Sequence, residues 1–330
     1  MVYPVIAEEF RNHQLENIHQ GVICIVNENK EVIYQKGDIS TPFFYRSAMK
    51  PIQAIPVFTT NIMNQYHLTD EEAALFIASQ RGEKYHEEAL IRVKEKLDIT
   101  EEHLVCASSY PLNEAPKMDY ILANKSKRKM MHNCAGKHLG FLGYTKMKGL
   151  SQEGYERPDH PLQKAILHYL SELSEAPINE IISGTDGCGV PVYAVPLENM
   201  AISYLKFVRP ELIEEQTVRD AVIHIGEIMN AHPEIIASHD FICSVLLKDK
   251  NIIAKGGAQG VYCLALREEK ISITLKVLSG TELLWPLLVA EILKKLNYQN
   301  EDTIHNLLQL KSDTILSDDG SVVGETKIYL

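Results

Sequence analysis

The chain passes from predicted strands to predicted helices at one short stretch, Arg46-Ser47-Ala48-Met49-Lys50-Pro51. Its serine and its lysine are three residues apart and therefore share one face of a helix. A serine hydroxyl attacks an amide carbon at neutral pH only if a base takes its proton. A lysine can be that base only if burial or a second cation lowers its pKa. Ser-x-x-Lys is typical of serine hydrolases that use lysine in this way. Alone, it more often marks an ordinary helix start, so its meaning depends on the rest of the chain.

Strands are predicted on both sides of this stretch, towards the two termini. The apolar, β-branched residues 21–26 and 31–35 flank Asn27-Glu28-Asn29-Lys30 and predict an antiparallel hairpin. Similar runs towards the C-terminus predict four more strands, at residues 251–254, 261–266, 271–277 and 321–329.

The residues between these strands are predicted to be mainly helical. A capping box, Thr69-Asp70-Glu71-Glu72, opens a helix that runs to Ala78. Periodic apolar positions predict further helices at residues 86–97, 159–173, 197–208 and 218–230, and at 282–296 near the C-terminus. Residues 179–196 are instead rich in glycine and proline.

Strands near both termini with helices between them predict an α+β fold. One antiparallel sheet is built from residues 1–40 and 240–330, and a helical region covers residues 41–239. We expect a single domain over residues 1–330, with the functional site at the seam between sheet and helices.

Composition favours an ordinary globular enzyme. The chain has 330 residues, of which 45% are hydrophobic and 23% are charged. Its formal net charge of −11 argues against nucleic acid or an acidic membrane surface as a partner. The N-terminus lacks the basic and apolar regions of a signal peptide, and no apolar run approaches the roughly 20 residues of a membrane span. The 6 scattered cysteines are then expected to be reduced thiols or metal ligands in a cytoplasmic protein.

Four more clusters combine small and reactive residues. They are Ala78-Ser79-Gln80-Arg81-Gly82-Glu83, Asn133-Cys134-Ala135-Gly136-Lys137-His138, Gly184-Thr185-Asp186-Gly187-Cys188-Gly189-Val190-Pro191 and Lys255-Gly256-Gly257-Ala258-Gln259-Gly260. Each also has a structural interpretation, such as a polar helix end, a buried thiol or a tight turn. Glycine-rich loops, however, occur where the backbone approaches a ligand closely. A Lys-x-Gly element on a late strand closes the pocket of Ser-x-x-Lys hydrolases, so the order of these clusters predicts such a hydrolase.

Together these motifs resemble the bacterial L-asparaginase II family, the thermolabile or rhizobial-type asparaginases, over nearly the whole chain. The resemblance implies the fold of the serine β-lactamases and serine glutaminases. It also implies that Ser47 and Ser79 are catalytic hydroxyls, near Lys50 and Lys255 respectively.

The same resemblance implies one zinc ion beside the pocket, held by Cys134, Lys137 and Cys188. Thiolates suit zinc, whereas a lysine becomes a ligand only if metal binding displaces its proton. His138 is chemically the more usual ligand and stays an alternative. The ion's open position could bind water or a substrate carboxylate.

Substrate contacts are expected at residues that flank these motifs. They are Arg46, Asp186, Gly187, Gly257 and Ala258. Asp186 is the expected partner of a substrate α-ammonium group.

Three positions depart from the family pattern, and each removes a charged or titratable group. Gln80 replaces a histidine after the second serine, and Gln259 replaces an acidic residue in the late lysine–glycine loop. Phe241 stands where an arginine is usual. These departures bear on substrate choice more than on the serines and lysines.

The resulting hypothesis is hydrolysis of L-asparagine to L-aspartate and ammonia. Ser47 attacks the amide carbon with neutral Lys50 as base, and Lys255 lowers the pKa of Lys50 and helps to bind the oxyanion. Ser79 relays the proton to the leaving ammonia, although the sequence leaves open which serine attacks first.

Two rival functions stay open. One is another serine amidase or penicillin-recognising enzyme of the same fold, and the other is a catalytically silent protein that binds amino acids. In each case the partner is a small molecule, and the resemblance implies a homodimer.

Overall fold

The computed structural model describes residues 3–330, and in this range it contains eleven strands. They are β1 (Val5–Arg11), β2 (Gln14–Val26), β3 (Val32–Lys36), β4 (Pro42–Phe44), β5 (Ile182–Thr185), β6 (Pro191–Pro196), β7 (Ile252–Gly257), β8 (Val261–Leu266), β9 (Ile271–Val277), β10 (Thr314–Leu316) and β11 (Val322–Ile328).

Eight of the strands described form one antiparallel sheet, in the order β10-β11-β1-β2-β9-β8-β7, with β3 paired to β2. The N-terminal and C-terminal parts of the chain meet where β2 pairs with β9, with Gly21 opposite Val277. The predicted α+β arrangement and the hairpin of β2 and β3 are therefore confirmed. Strand β1 was not predicted, because its charged and half-exposed residues lack a clear apolar alternation.

Thirteen α-helices occur in the same described range. They are α1 (Lys50–Phe58), α2 (Ile62–Gln65), α3 (Asp70–Ala74), α4 (Lys84–Lys96), α5 (Glu114–Leu122), α6 (Ala135–Met147), α7 (Pro161–Ser174), α8 (Leu197–Val208), α9 (Gln216–Ala231), α10 (Pro233–Ile236), α11 (Ile242–Leu247), α12 (Trp285–Lys295) and α13 (Glu301–Leu310).

The sheet is covered by helices on both faces, which follows from the alternation of its side chains. On β2, Val22 and Cys24 point into the larger apolar cluster with α1 and α8. Ile23 and Ile25 point to the other face, where Trp285 of α12 lies in a second apolar cluster. None of the helices within residues 3–330 combines the length and the hydropathy needed to cross a bilayer.

The glycine- and proline-rich residues 179–196 form a hairpin of β5 and β6, to which β4 adds a third strand. These strands were not predicted, because their turn contains the glycines that usually interrupt a strand. The hairpin turn carries Asp186 and Cys188 towards the first turn after β4.

The helix predicted to reach Ala78 ends earlier, at Ala74. Its predicted capping box is present: the Thr69 hydroxyl accepts from Glu72 N–H, and the Glu72 carboxylate accepts from Thr69 N–H. After Ala74 the backbone turns more tightly, with Ala78 N–H donating to the carbonyl of Leu75, three residues earlier. After this tighter turn, Ser79 lies next to Lys255 of strand β7.

Candidate active site

Ser79 lies between the amines of two lysines that are far apart in the sequence. Its Oγ is 3.0 Å from Lys50 Nζ and 2.8 Å from Lys255 Nζ. Both lysine side chains are buried, whereas Ser79 is half-buried. The structure therefore joins three residues that were predicted from separate motifs.

The two amines differ in their other partners. Lys50 Nζ also donates to the carbonyl oxygens of Ala78, at 2.6 Å, and Asn133, at 3.1 Å. Its three bonds occupy the three protons of an ammonium group. Lys255 Nζ donates to one carbonyl, that of Gly256 at 3.0 Å. A neutral Lys255 thus keeps a lone pair that can face Ser79.

Burial lowers the pKa of both amines. For Lys255 the pKa falls to about 8, mainly through burial and further through the charge of Lys50, although Cys243 opposes the change. The pKa of Lys50 is also lowered by burial, with Cys134 opposing and Lys137 adding to the effect. With a pKa of about 8, Lys255 has a useful neutral fraction near neutral pH.

The backbones of the elements that carry Lys50, Ser79 and Lys255 pack closely against their neighbours. Gly257 follows Lys255 on β7, and a Cβ atom on it would lie 2.2 Å from the carbonyl oxygen of Tyr45. Glycine is therefore required where the edge strand meets the short 3-10 helix Arg46–Met49. On the other side, Ser79 N–H donates to the carbonyl of Ile236 in α10 at 2.8 Å.

Ser79 and Lys255 open onto a cavity of about 110 Å³. Ser47 lines the same cavity, as do the predicted Gly257 and Ala258. Within residues 3–330, Lys50 donates to Ala78, Ser79 and Asn133, and no side-chain hydrogen bond joins it to Ser47. The Ser-x-x-Lys motif thus supplies its lysine to the other serine.

Arg46 and Asp186, both predicted to bind substrate, bind each other. Arg46 Nε lies 2.8 Å from Asp186 Oδ1, which also accepts from Gly187 N–H at 2.9 Å. Arg46 itself has a φ of 51°, in the left-handed region. The structure does not bring Arg46, Asp186 or Gly187 into the lining of the cavity around Ser79.

The predicted zinc ligands do come together. Lys137 Nζ is 3.2 Å from Cys188 Sγ, and a hydrogen bond from Cys188 lowers the pKa of Cys134 well below its usual value. Burial lowers the pKa of Lys137, but the charges of Cys188 and Cys134 raise it overall. All three side chains are buried. Two thiol groups and an amine form a donor set that fits a thiolate-preferring ion once the amine loses its proton.

The side chain of His138, the alternative ligand, has a different partner. Its Nδ1 is 2.6 Å from the hydroxyl of Tyr155, and its buried Nε2 has no hydrogen-bond partner in residues 3–330. Over the same range, no group of three His, Cys, Asp or Glu side chains could hold a metal ion. In this arrangement Lys137, and not His138, contacts Cys188, and the identity of the third ligand stays a prediction.

Sequence comparison decides the family. The family model described as L-asparaginase II matches residues 7–328. The chain belongs to the L-asparaginase II family. Among curated proteins, none matches the sequence. The family resemblance inferred from the five motifs is confirmed, and family membership supports an amidase-type hydrolase.

Solved structures show only distant similarity. A putative β-lactamase from Bacteroides dorei is 13% identical, with 84% of this chain and 93% of that chain covered at a TM-score of 0.42. A β-lactamase from Mycobacterium bovis is 12% identical, with coverages of 83% and 94% and a TM-score of 0.39. Simvastatin synthase from Aspergillus terreus is 14% identical, with coverages of 78% and 84% and a TM-score of 0.38. The chemistry of the site is therefore derived from its own residues.

The three residues that depart from the L-asparaginase II pattern lie at different positions relative to the cavity. Gln80 donates to the carbonyl of His132 at 2.8 Å and accepts from Gly82 N–H at 2.6 Å, so it fastens the loop that follows Ser79. Gln259 occupies a turn at a φ of 66°, next to the cavity. Phe241 lines the cavity and stacks against Arg81, whose Cζ is 4.5 Å from the ring centre.

Two charged residues of the cavity wall, Arg81 and Glu282, were not among the predicted site residues. Arg81 belongs to the cluster around Ser79, and its position two residues after that serine was the signal available for it. Glu282 precedes α12 and lies in no motif, so only the three-dimensional arrangement brings it to the cavity.

Proposed function

We propose that this L-asparaginase II family member hydrolyses L-asparagine to L-aspartate and ammonia through an acyl-enzyme on a serine. The observation that carries the proposal is the contact of two buried lysine amines with Ser79 Oγ at the wall of a small cavity. Family membership supports the amidase class of the reaction.

Ser79 is the nucleophile in this proposal, because both amines reach it. Its Oγ forms a bond to the side-chain amide carbon while its proton moves to neutral Lys255 Nζ. Lys50 remains an ammonium, held by two carbonyl oxygens, and stabilises the negative charge that develops. This assignment replaces the hypothesis in which Ser47 attacks and Lys50 is the base.

The second half of the reaction restores the serine. Lys255 returns its proton to the leaving nitrogen, the C–N bond breaks, and ammonia leaves an aspartyl ester on Ser79. Water then attacks the ester carbonyl, gives its proton to Lys255, and releases L-aspartate as the Ser79 hydroxyl regains a proton. Ser47, on the same cavity wall, relays the proton to the leaving nitrogen.

Zinc is a further part of the proposal. Cys134, Lys137 and Cys188 would hold one ion, which when bound supplies a positive charge and an open coordination position near the pocket. Elemental analysis of the purified protein tests this, and a fully active preparation without zinc would contradict it. The homodimer, which the family resemblance implies, and the cytoplasmic location, which the sequence predicts, stay predictions.

Ammonia release from L-asparagine by two matched variants tests the nucleophile. Ser79→Ala is expected to lose about 10³-fold or more of the activity, whereas Ser47→Ala keeps a measurable fraction because the attacking hydroxyl remains. Wild-type rates in Ser79→Ala would refute the mechanism. Near-complete loss in Ser47→Ala alone would return the attacking role to that residue.

The rival functions give different results in the same assays. A penicillin-recognising enzyme would form a covalent β-lactam adduct visible by mass spectrometry, which the asparaginase proposal does not predict. A silent binding protein would be stabilised by asparagine or aspartate without releasing ammonia. Glutamine and related amides, compared with asparagine, define the substrate range.

A further inference from the structure

Two side chains of opposite charge face the cavity beside Ser79, Arg81 and Glu282. Among the residues described, neither takes part in an ion pair, although the charge of Arg81 acts on the Glu282 carboxyl. Opposite charges that line one small cavity without pairing with each other suit a ligand that carries both charges.

Arg81 is held so that one edge of its guanidinium stays available. Its Nε donates to Asn113 Oδ1 at 2.5 Å, and the same Asn113 is fixed by a bond from its Nδ2 to Glu83 Oε1 at 2.7 Å. The ring of Phe241 covers one face of the guanidinium. The terminal nitrogens of Arg81 have no hydrogen-bond partner within residues 3–330, and this pair of donors matches a carboxylate.

Glu282 lines the same cavity, and its surroundings offset the burial of its carboxyl only in part. Burial raises the pKa of its carboxyl, while Arg81, Lys255 and Arg46 and the backbone N–H of Gln259 act in the opposite direction. An ammonium group of a ligand would compensate this burial. Asp186, the acidic residue expected to take that role, is already paired with Arg46.

We propose that Arg81 binds the α-carboxylate and Glu282 the α-ammonium of a free amino-acid amide, so that the cavity selects zwitterions. The inference rests on the proposed function and names what that site recognises in its substrate. The nearby Ser79 then meets the side-chain amide, while amides that lack either charge bind poorly. Arg81 and Glu282 are substrate-binding residues with no part in proton transfer.

Removing one charge from the protein and one from the ligand tests each contact separately. Calorimetry compares L-aspartate with L-aspartic acid α-amide, which lacks the α-carboxylate, and N-acetyl-L-aspartate, which lacks the α-ammonium. Arg81→Gln is expected to weaken L-aspartate binding about 10- to 100-fold and to leave the α-amide nearly unaffected. Glu282→Gln should show the same pattern with N-acetyl-L-aspartate as the unaffected ligand.

Kinetics and controls complete the test. Both variants should raise KM for L-asparagine more than they lower kcat, and Arg81→Lys should fall between wild type and Arg81→Gln. Lys84→Gln, which removes a charge from an exposed side chain, should match wild type. The inference would be overturned if the variants weakened the binding of all three ligands equally, or weakened the binding of none. It would also be overturned if the wild-type protein bound none of the three ligands. The predicted binding pattern without ammonia release would instead overturn only the proposed function.

Discussion

Ser79 accepts hydrogen bonds from two buried amines, and burial makes it costly for both to stay charged. Two ammonium groups that share one oxygen repel each other in a medium that solvates them poorly. Lys50 keeps its proton more readily, because two backbone carbonyls accept from it. Lys255 has one such carbonyl and is therefore the amine that becomes neutral first.

The first prediction concerns the pH dependence of activity. A base with a pKa of about 8 is mostly protonated at lower pH, so kcat/KM for ammonia release should rise as the pH rises through about 8. Lys255→Arg should reduce kcat/KM by about 100- to 10,000-fold at every pH, since a guanidinium does not lose its proton. A pH–rate profile of both proteins measures this.

A matched lysine provides the control for that profile. Lys84→Arg changes an exposed side chain in the same way and should leave the profile unchanged. A wild-type profile that stays flat through pH 8, or an active Lys255→Arg variant, would exclude Lys255 as the base.

The predicted proximity of Ser79 and Lys255 is observed, whereas the contact of Lys50 with Ser79 instead of Ser47 was not predicted. Ser47, Lys50, Ser79 and Lys255 all lie in motifs, and three of them meet in space. The Ser-x-x-Lys spacing suggested a contact within one helix, but Lys50 extends across to the loop after α3. Which partner a long side chain reaches depends on neighbouring elements that local spacing does not describe.

At the level of elements, the loop that carries Ser79 begins in the short helix α3. The capping box at Thr69 was predicted because it is entirely local, a hydroxyl and a carboxylate three residues apart. The early end of α3 was not, because Ser79 N–H leaves the helical pattern to bind Ile236, 157 positions further along the chain. Residues that depend on such distant partners escape prediction from periodicity.

The second prediction tests this cap. Thr69→Ala removes the hydroxyl that accepts from Glu72 N–H and should lower the free energy of unfolding by about 1 kcal/mol. Activity per folded molecule should stay unchanged, because Ser79 is held separately by Ile236. Chemical denaturation and an ammonia assay measure the two effects.

Thr69→Ser retains the hydroxyl and serves as the matched control, with stability close to wild type. If Thr69→Ala were as stable as the serine variant, the cap would contribute nothing to folding. If it lost activity in proportion to its stability loss, Ser79 would depend on α3 more than the structure indicates.

For the whole molecule, the site depends on contacts between elements that are distant in the sequence. His86 of α4 illustrates this, since its buried Nε2 donates to the carbonyls of Glu234 at 3.1 Å and Ile235 at 3.2 Å. Those residues lead directly to Ile236, which binds Ser79. A neutral imidazole therefore fastens α4 to α10, the helix whose Ile236 carbonyl accepts from Ser79 N–H.

The third prediction follows from the burial of His86. Burial lowers its pKa from 6.5 to about 4, with the charges of Arg81 and His239 adding to the effect and the two carbonyls opposing it. Between these pH values the unfolded chain binds more protons than the folded one, so the free energy of unfolding falls as the pH falls. The loss should approach about 3 kcal/mol by pH 4. Denaturation at a series of pH values measures it.

His86→Gln, which can still donate to a carbonyl, should be less stable than wild type at neutral pH and should lose less stability towards acid. His13→Gln, at an exposed turn, is the control and should follow the wild-type curve. Identical acid dependence in His86→Gln and wild type would assign the effect to other groups. A flatter curve in His86→Gln, with His13→Gln unchanged from wild type, would assign the acid-dependent loss of stability to the buried imidazole that holds α10 against α4.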